Sequence, residues 1–508
     1  MFDWIIQVTV VTLLSMFYYI TQKRYKQIIL SNYLPRCTMF LLFVAFLFSE
    51  SCAPINTIPK NPPTVVIIGG GASGLATGKR LLELGITPII IEKESELGGA
   101  GAHAGRFFAS ATSWQRDADI SDSISLALSE WQTITGREPN TTIAEFITDT
   151  EETLRWIESF GSKFTDVEFD IGAGSVPRIH HLSSEYPHPI EILSEELSPY
   201  AKTNTAVLSI EKFDQNFIIH TNNNDIFANI IVIASGGFAR NTELVGEFTP
   251  NINNYNWHTE AWYGMLGDSI HFFRSLDIPL QNMQHVGLYA HSVTDALLGY
   301  PEVMVVPALE RSLIVNSQGL RIGNEQYTQS LHGGQLYLEQ GPLYAIFDST
   351  LWDGTIMQGM GYNYPTPPQI SAVEYARLMP ITSSNDIQDL ALYSNITPST
   401  FIETIERYNS GFIDNTDEFA KNLQRTHPIQ TPPFYALPLV LSTGKSFGGA
   451  AIEEYRTIQD NIYVVGEAGG FLGTENVGWG FSGSISACYY MGKHVAETIY
   501  QNNYAETH

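Results

Sequence analysis

Gly69-Gly70-Gly71-Ala72-Ser73-Gly74 is the stretch of this chain whose residue types and spacing suit chemistry most plainly. Gly69 permits a tight turn, Gly71 lets the backbone approach a pyrophosphate, and Gly74 lets a helix pack closely on a strand, with Ser73 inside the same loop. A helix starting there adds free N–H groups and a positive dipole end, which favour anionic oxygens. Glu92 stands 18 residues past Gly74, where a carboxylate accepts hydrogen bonds from ribose hydroxyls, and Lys93 follows it. These groups would hold a dinucleotide. The elements that must position them are legible on either side. Residues 64–68 (Thr-Val-Val-Ile-Ile) form an apolar, β-branched run of the kind found in a buried parallel strand. Leu75, Leu81, Leu82 and Leu84 have helical spacing ended by Gly85, and residues 87–91 predict a second strand. Together they make a complete βαβ unit.

The fingerprint alone does not choose between nicotinamide and flavin dinucleotides. Gly98 and Gly99, followed by Ala100, supply a glycine pair just after the ribose-binding acid, against which a cofactor extending past its pyrophosphate can lie. With these residues the sequence resembles the FAD-dependent fumarate reductase and succinate dehydrogenase flavoprotein family, which includes 3-ketosteroid dehydrogenases, urocanate reductases and aspartate oxidases. The resemblance runs from 64 to 498. In order along the chain it takes in an amphipathic helix expected over 149–164 and an alternating stretch over 205–233 that reads as a β-meander. That stretch holds Val207 and ends in Ala234-Ser235-Gly236-Gly237, similar to the family's second FAD-contacting turn. Gly267-Asp268 resembles the start of a family helix. Residues 314–325 resemble its VN-x-x-G-x-R-x-x-NE signature, with Arg321 and Glu325 at the charged positions. Gly448, the strand ending in Gly466-Glu467, and a helix beginning at Gly480 with Ser482 complete the expected FAD contacts, Glu467 standing where the family binds the ribityl chain.

Cofactor segments at both ends imply an α/β fold in which a discontinuous Rossmann-type FAD-binding domain (64–244 and 431–508) carries an inserted α+β capping domain (245–430). The resemblance implies a hydride passing between flavin N5 and a substrate carbon, with a protein group moving a proton at the adjacent carbon. Several positions depart from the dicarboxylate enzymes. Gln329 stands where the family has its proton-donating arginine, Lys445 where a histidine is expected, and Tyr289, followed by His291, where another histidine is expected. Nothing in 476–480 matches the C-terminal substrate arginine. Fumarate and succinate are therefore disfavoured. Trp114, Trp262, Tyr263, Tyr289, Tyr327 and Trp479 suggest aromatic walls suited to a flat or partly apolar small molecule. Ala100 after the glycine pair, in place of a flavin-linking histidine, implies non-covalent FAD. Lys445, Tyr289, Arg321, Glu325 and His291 are the candidate catalytic residues.

Composition agrees with an enzyme. The chain has 508 residues, 44% hydrophobic and 12% aromatic, enough for a large core without disulfides. Its net charge of −26 (27 basic against 53 acidic residues) disfavours nucleic acid. Cys37, Cys52 and Cys488 are the three cysteines, too few in the body for a zinc site or thiol redox centre. Arg178, His180 and His181 lie together but lack ligand spacing, so no metal is expected. Residues 1–63 read as a hydrophobic leader or anchor and a proline-rich linker, implying an exported or membrane-anchored protein. A signal peptide around 39–48, a lipidated Cys52 (disfavoured by Glu50), an anchor over 2–20 and a true start at Met39 all remain open. No haem-attachment motif is present, so the sequence names no electron donor or acceptor, and a quinone and a separate redox protein both stay open. Two rivals stand beside the enoate or enone reductase or dehydrogenase reading: a flavin oxidase using O2, and a tethered flavin electron carrier without catalysis.

Overall fold

The computed structural model describes residues 63–135, 138–169, 174–292, 311–325, 331–352, 381–453, 455–457, 459–470 and 485–504. The leader, Tyr327, Gln329, Trp479, Gly480 and Ser482 lie outside them. Apart from Tyr504, the described residues fall in one unit, Pro62–Asn503. The elements that position the site are, in chain order, β1 (Val65–Ile68), α1 (Ala72–Glu83), β2 (Ile89–Ile91), β3 (Ala201–Lys202), β4 (Ile230–Ile233), β5 (Trp257–Thr259), β6 (Val286–Ser292), β7 (Val440–Ser446), β8 (Ile462–Val464) and α2 (Ile485–Asn503).

Strands β8, β4, β1, β2 and β3 lie in that order in a wholly parallel sheet. β1 and β4 are buried at every residue, as continuous Val and Ile runs require when both faces are covered. Val66, Ile68, Ile231 and Ile233 pack into the largest core with Ile210, Phe217 and Ile219 of the neighbouring meander. Helices α1 and α2 meet closely: a Cβ on Gly492 would lie 2.7 Å from the Ala76 Cβ and from the Ser73 carbonyl oxygen. This is the expected Rossmann-type α/β arrangement, assembled from both ends of the chain.

Two local expectations are corrected. The meander holds only Val207–Phe213, Asn216–Thr221 and Ile226–Ala228. Ile230–Ile233, which loses the polar alternation, leaves it to pair with β1. The helix expected over 149–164 spans Thr150–Ser159, follows a separate helix Thr141–Thr148 capped by Asn140, and gives way to a strand at Phe164.

Arg321 and Glu325 belong to a buried ion cluster. Arg321 Nε and Nη2 donate to the two Glu325 carboxylate oxygens at 2.9 Å, and its Nη1 donates to Asp417 at 2.7 Å. The Lys421 ammonium stands 3.0 Å from Glu325 and donates to the Ser312 carbonyl. The Arg321 guanidinium also lies over the rings of Tyr408 and Phe419. The cluster joins strand Leu313–Asn316 to the end of helix Pro398–Asp414, beside a sheet of Leu313–Asn316, Leu343–Asp348, Phe434–Pro438 and Thr382–Ser384. Removing one charge from such a set leaves a buried cation without its counterion. Glu325→Gln is therefore expected to destabilise the fold by about 3–5 kcal/mol, read by chemical denaturation. A change below about 1 kcal/mol would remove the bracing role.

The basic cluster at 178–181 is structural in a similar way. Arg178 is fully buried and donates to Asp122 and Glu130. His180 Nδ1 lies 3.1 Å from the Arg178 carbonyl, so that nitrogen carries the proton, and Nε2 lies 2.9 Å from the Thr112 hydroxyl. Burial pushes the His180 imidazole down to about 4, partly offset by its backbone hydrogen bonds. A histidine held neutral in the fold costs stability once the unfolded chain can bind its proton. Its contribution is complete above about 6.5 and is lost as pH falls from there toward about 4, a change of about 3 kcal/mol. His180→Gln should flatten the stability profile in that window, and an unchanged profile would contradict the assignment. Among the described residues no His, Cys, Asp or Glu group is arranged to hold a metal, and no helix is long and apolar enough to cross a membrane.

Candidate functional site

The glycines around the C-terminal ends of β1 and β4 divide into those forced by packing and those facing open space. Gly69 has φ +107°, its N–H donates to the Ile91 carbonyl at 2.8 Å, and a Cβ there would lie 2.4 Å from the Ala234 oxygen. A Cβ on Gly74 would lie 2.0 Å from the Gly69 oxygen. These two close the turn. Gly71, at the head of α1, would meet nothing nearer than the Gly98 oxygen at 4.0 Å, and Gly236, at φ +78°, nothing within 4 Å. Ser235, the residue before Gly236, has a buried hydroxyl with no partner among the described residues. A helix N-terminus, two open glycines and an unpartnered hydroxyl make a cradle that fits a dinucleotide pyrophosphate.

Of the other predicted cofactor residues, Gly480 and Ser482 lie outside the described residues. Glu92 accepts from Gly70 N–H at 2.7 Å and Glu94 N–H at 2.9 Å, leaving acceptor capacity on both oxygens. Lys93 is tied to Asp268 at 2.7 Å and to the Gly264 carbonyl at 3.0 Å. The Gly98 N–H donates to the Gly70 carbonyl at 2.8 Å, with φ +116° at Gly98 and +51° at Gly99. Ala100 is exposed and Val207 half-buried. A Cβ on Gly466 would lie 2.5 Å from the Ser73 hydroxyl, and one on Gly448 2.4 Å from Met283 Cα. Glu467 accepts from Ser446 N–H at 2.6 Å and from its hydroxyl at 3.1 Å, while that hydroxyl accepts from Phe238 N–H at 2.9 Å. The ends of β4, β7 and β8 are thus tied together beside the cradle.

A second sheet, ordered β5-β7-β6, adjoins this point. Its two faces differ. Val286, Leu288, Ala290 and Leu441 enter the main core, and Thr443 and Thr259 on the same side donate to the Ala239 carbonyl. The opposite face carries His258, Ser442 and Tyr289 on one rung, since His258 pairs with Ser442 and Ser442 with Tyr289. Gly444 is an extra residue there: Leu288 pairs with Thr443 and Gly287 with Lys445. Side chains alternate along a strand, so this bulge turns Lys445 to the face of Ser442 and Tyr289. Glu260 follows His258 by two positions, and its carboxylate and the Tyr289 ring converge over Gly444, where a Cβ would meet them at 2.8 and 2.9 Å. Tyr289 is buried with Phe447 in a cluster separate from the main core.

Lys445 also joins this face electrostatically to the cradle. Burial draws its pKa down, opposed by attraction to Glu467, and burial draws Glu467 up, opposed by Lys445. Cys488, on the first turn of α2, lies near enough to feel both charges. Burial pushes its thiol up to about 11, so it is not a thiolate at neutral pH.

Of the candidate catalytic residues, the structure brings Tyr289 and Lys445 to one face, while Arg321 and Glu325 lie in the buried cluster described above. His291 lies on β6 within the second register shift, between Tyr289 and Ser292. Trp114 packs with Phe164, His180 and Arg155. Trp262 packs at a tilt against the rings of Tyr263 and His103. His258, Glu260 and Ser442 share the polar face without having been singled out from sequence. In sequence they stand only in short polar runs, His258-Thr259-Glu260 and Ser442-Thr443, which are too common to select them.

A model described as FAD binding domain matches residues 64–479. The chain is 23% identical over 459 residues to a fumarate reductase (cytochrome) of Shewanella frigidimarina, covering 85% of this chain and 76% of that one. It is 21% identical over 488 residues to a vinyl phenol reductase of Lactiplantibacillus plantarum, covering 86% and 97% respectively. Among solved structures it is similar to a 3-ketosteroid-Δ4-(5α)-dehydrogenase of Rhodococcus jostii, with a TM-score of 0.68, 18% identity and coverage of 88% and 98%. With a cradle that fits the cofactor and a family match over most of its length, this chain belongs to the FAD binding domain family and uses FAD.

Proposed function

We propose that this FAD-dependent oxidoreductase reduces or dehydrogenates a carbon–carbon bond next to an activating carbonyl in a small, partly apolar enone or enoate. The observation that carries the reading is the polar sheet face on which Tyr289 and Lys445 stand together beside the Glu467 end of the FAD cradle. Bound FAD supplies the hydride chemistry. Lys445 holds the substrate's carbonyl or carboxylate oxygen, and Tyr289 gives or takes the proton at the neighbouring carbon. The Tyr289–Phe447 pair favours a flat apolar body over a second carboxylate. The relatives named as reductases of fumarate and vinyl phenol, and the ketosteroid dehydrogenase fold, support the same class of reaction. FAD is held without a covalent link, consistent with Ala100 after the glycine pair. The hydrophobic leader favours an exported or membrane-anchored protein, with a quinone or a redox protein as electron partner.

The test is product analysis. Holoprotein reduced without oxygen and incubated with cinnamate, 4-vinylphenol or 4-androstene-3,17-dione should yield a product two hydrogens richer, identified by mass spectrometry. Peroxide in air as the sole product, with every alkene recovered intact, would instead support the oxidase.

A further inference from the structure

Among the buried side-chain atoms without a hydrogen-bond partner in the described residues, His258 Nε2 and Ser442 Oγ belong to neighbours on a single rung. Ser442 is 0% exposed and its oxygen has no contact that would satisfy it. His258 is half-buried as a residue, but its Nε2 is shielded, and burial alone lowers the pKa of its ring. Two polar atoms on the same sheet face, one strand apart, are not left bare in a stable fold, because each orphan costs about 1–3 kcal/mol. A buried water with two or more such partners satisfies them. The next residue along the rung is Tyr289, whose ring reaches over Gly444 toward Glu260.

We infer that His258 and Ser442 hold an ordered water that resupplies the proton Tyr289 gives to substrate. The inference rests on the proposed reduction and deepens it by naming the route of the proton. In the reducing direction the substrate's β-carbon takes a hydride, which carries both electrons. The adjacent carbon takes a proton from the Tyr289 hydroxyl, leaving a tyrosinate. The tyrosinate recovers its proton through the water at His258 and Ser442, which draws on solvent through the half-exposed imidazole. Atoms and electrons balance with one hydride and one proton per double bond, and the rung itself is unchanged over a turnover. His258 and Ser442 are thus positioning residues, acting through Tyr289. The sheet face supplies a proton path in a chain whose sequence has Gln329 where an arginine donor was expected.

Two measurements test this on the FAD-loaded protein. The first is a high-resolution crystal structure, expected to show a water within hydrogen-bonding distance of both His258 Nε2 and Ser442 Oγ. If those atoms instead bond to each other, or face a dry gap, the inference is overturned. The second is steady-state reduction of cinnamate or 4-vinylphenol under anaerobic conditions with excess dithionite as electron supply. His258→Ala and Ser442→Ala should keep the wild-type flavin spectrum and the wild-type rate of the first reoxidation by alkene but slow repeated turnover at least about tenfold. Added imidazole should restore the rate of His258→Ala but not that of Ser442→Ala. Wild-type turnover in both variants, or a slowed His258→Ala that imidazole leaves unchanged, would overturn it. If the wild-type protein reoxidises with no alkene, the proposed reaction fails and the crystallographic water alone decides whether the site exists.

Discussion

Gly71→Leu is expected to give a folded protein that carries no FAD. Gly71 has φ −76° and ψ −175°, an extended conformation open to any L-residue, and its Cβ direction is clear of protein to 4.0 Å. An L-residue there strains no backbone and its Cβ meets no neighbour, while the branched end of a leucine occupies the space in front of the α1 N-terminus where a pyrophosphate would lie. Affinity for FAD should fall at least about a thousandfold, which is about 4 kcal/mol. The melting temperature should match that of wild-type protein stripped of flavin, the fair reference because a bound cofactor stabilises by mass action. Gly74→Ala is the contrasting variant. Its Cβ would lie 2.0 Å from the Gly69 oxygen, so it should destabilise the fold itself by about 1–3 kcal/mol. If Gly71→Leu binds FAD normally, or Gly74→Ala is as stable as wild type, the assignment of open and closed glycines is wrong.

The second large effect is at Tyr289. Tyr289→Phe keeps the ring that packs against Phe447 and removes only the hydroxyl, so flavin content and melting temperature should stay close to wild type. Loss of a positioned proton donor slows a reaction by about 10²–10⁴-fold, and that is the loss expected in the rate at which an alkene reoxidises the reduced flavin. Reoxidation by O2, which needs no proton at a substrate carbon, should be unaffected. A variant that loses both reactions equally would point to a damaged flavin site.

Much of the cofactor half was legible because its signals are local. The glycine spacing at 69–74, the Ile and Val runs and Glu92 each act within one βαβ unit, and the structure assembles that unit as read. The substrate half was less so, because its geometry depends on distant pairing. Lys445 and Ser442 are three residues apart and would point to opposite faces of a regular strand. Only the extra residue Gly444 aligns them, and a single glycine in a strand does not announce a bulge. Arg321 and Glu325 sat in a recognisable signature, but their role follows from Asp417, 96 residues away from Arg321, and from Lys421. No spacing in the sequence foretells that contact. Alternation over 205–233 does not by itself separate the meander strand Ile226–Ala228 from the strand that follows. Ile230–Ile233 has no alternation and suits the doubly covered sheet it joins.

The claim that this chain passes a hydride to or from a carbon–carbon bond is tested most directly by anaerobic rapid mixing. Reduced holoprotein would be mixed with cinnamate, 4-vinylphenol, 4-androstene-3,17-dione and fumarate in separate shots while the oxidised-flavin absorbance is followed. Rapid return of that absorbance is expected with one of the partly apolar compounds, with slow or no return with fumarate and loss of the rapid phase in Tyr289→Phe. Return of the oxidised flavin with O2 or a quinone alone, and with none of the alkenes, would contradict the claim.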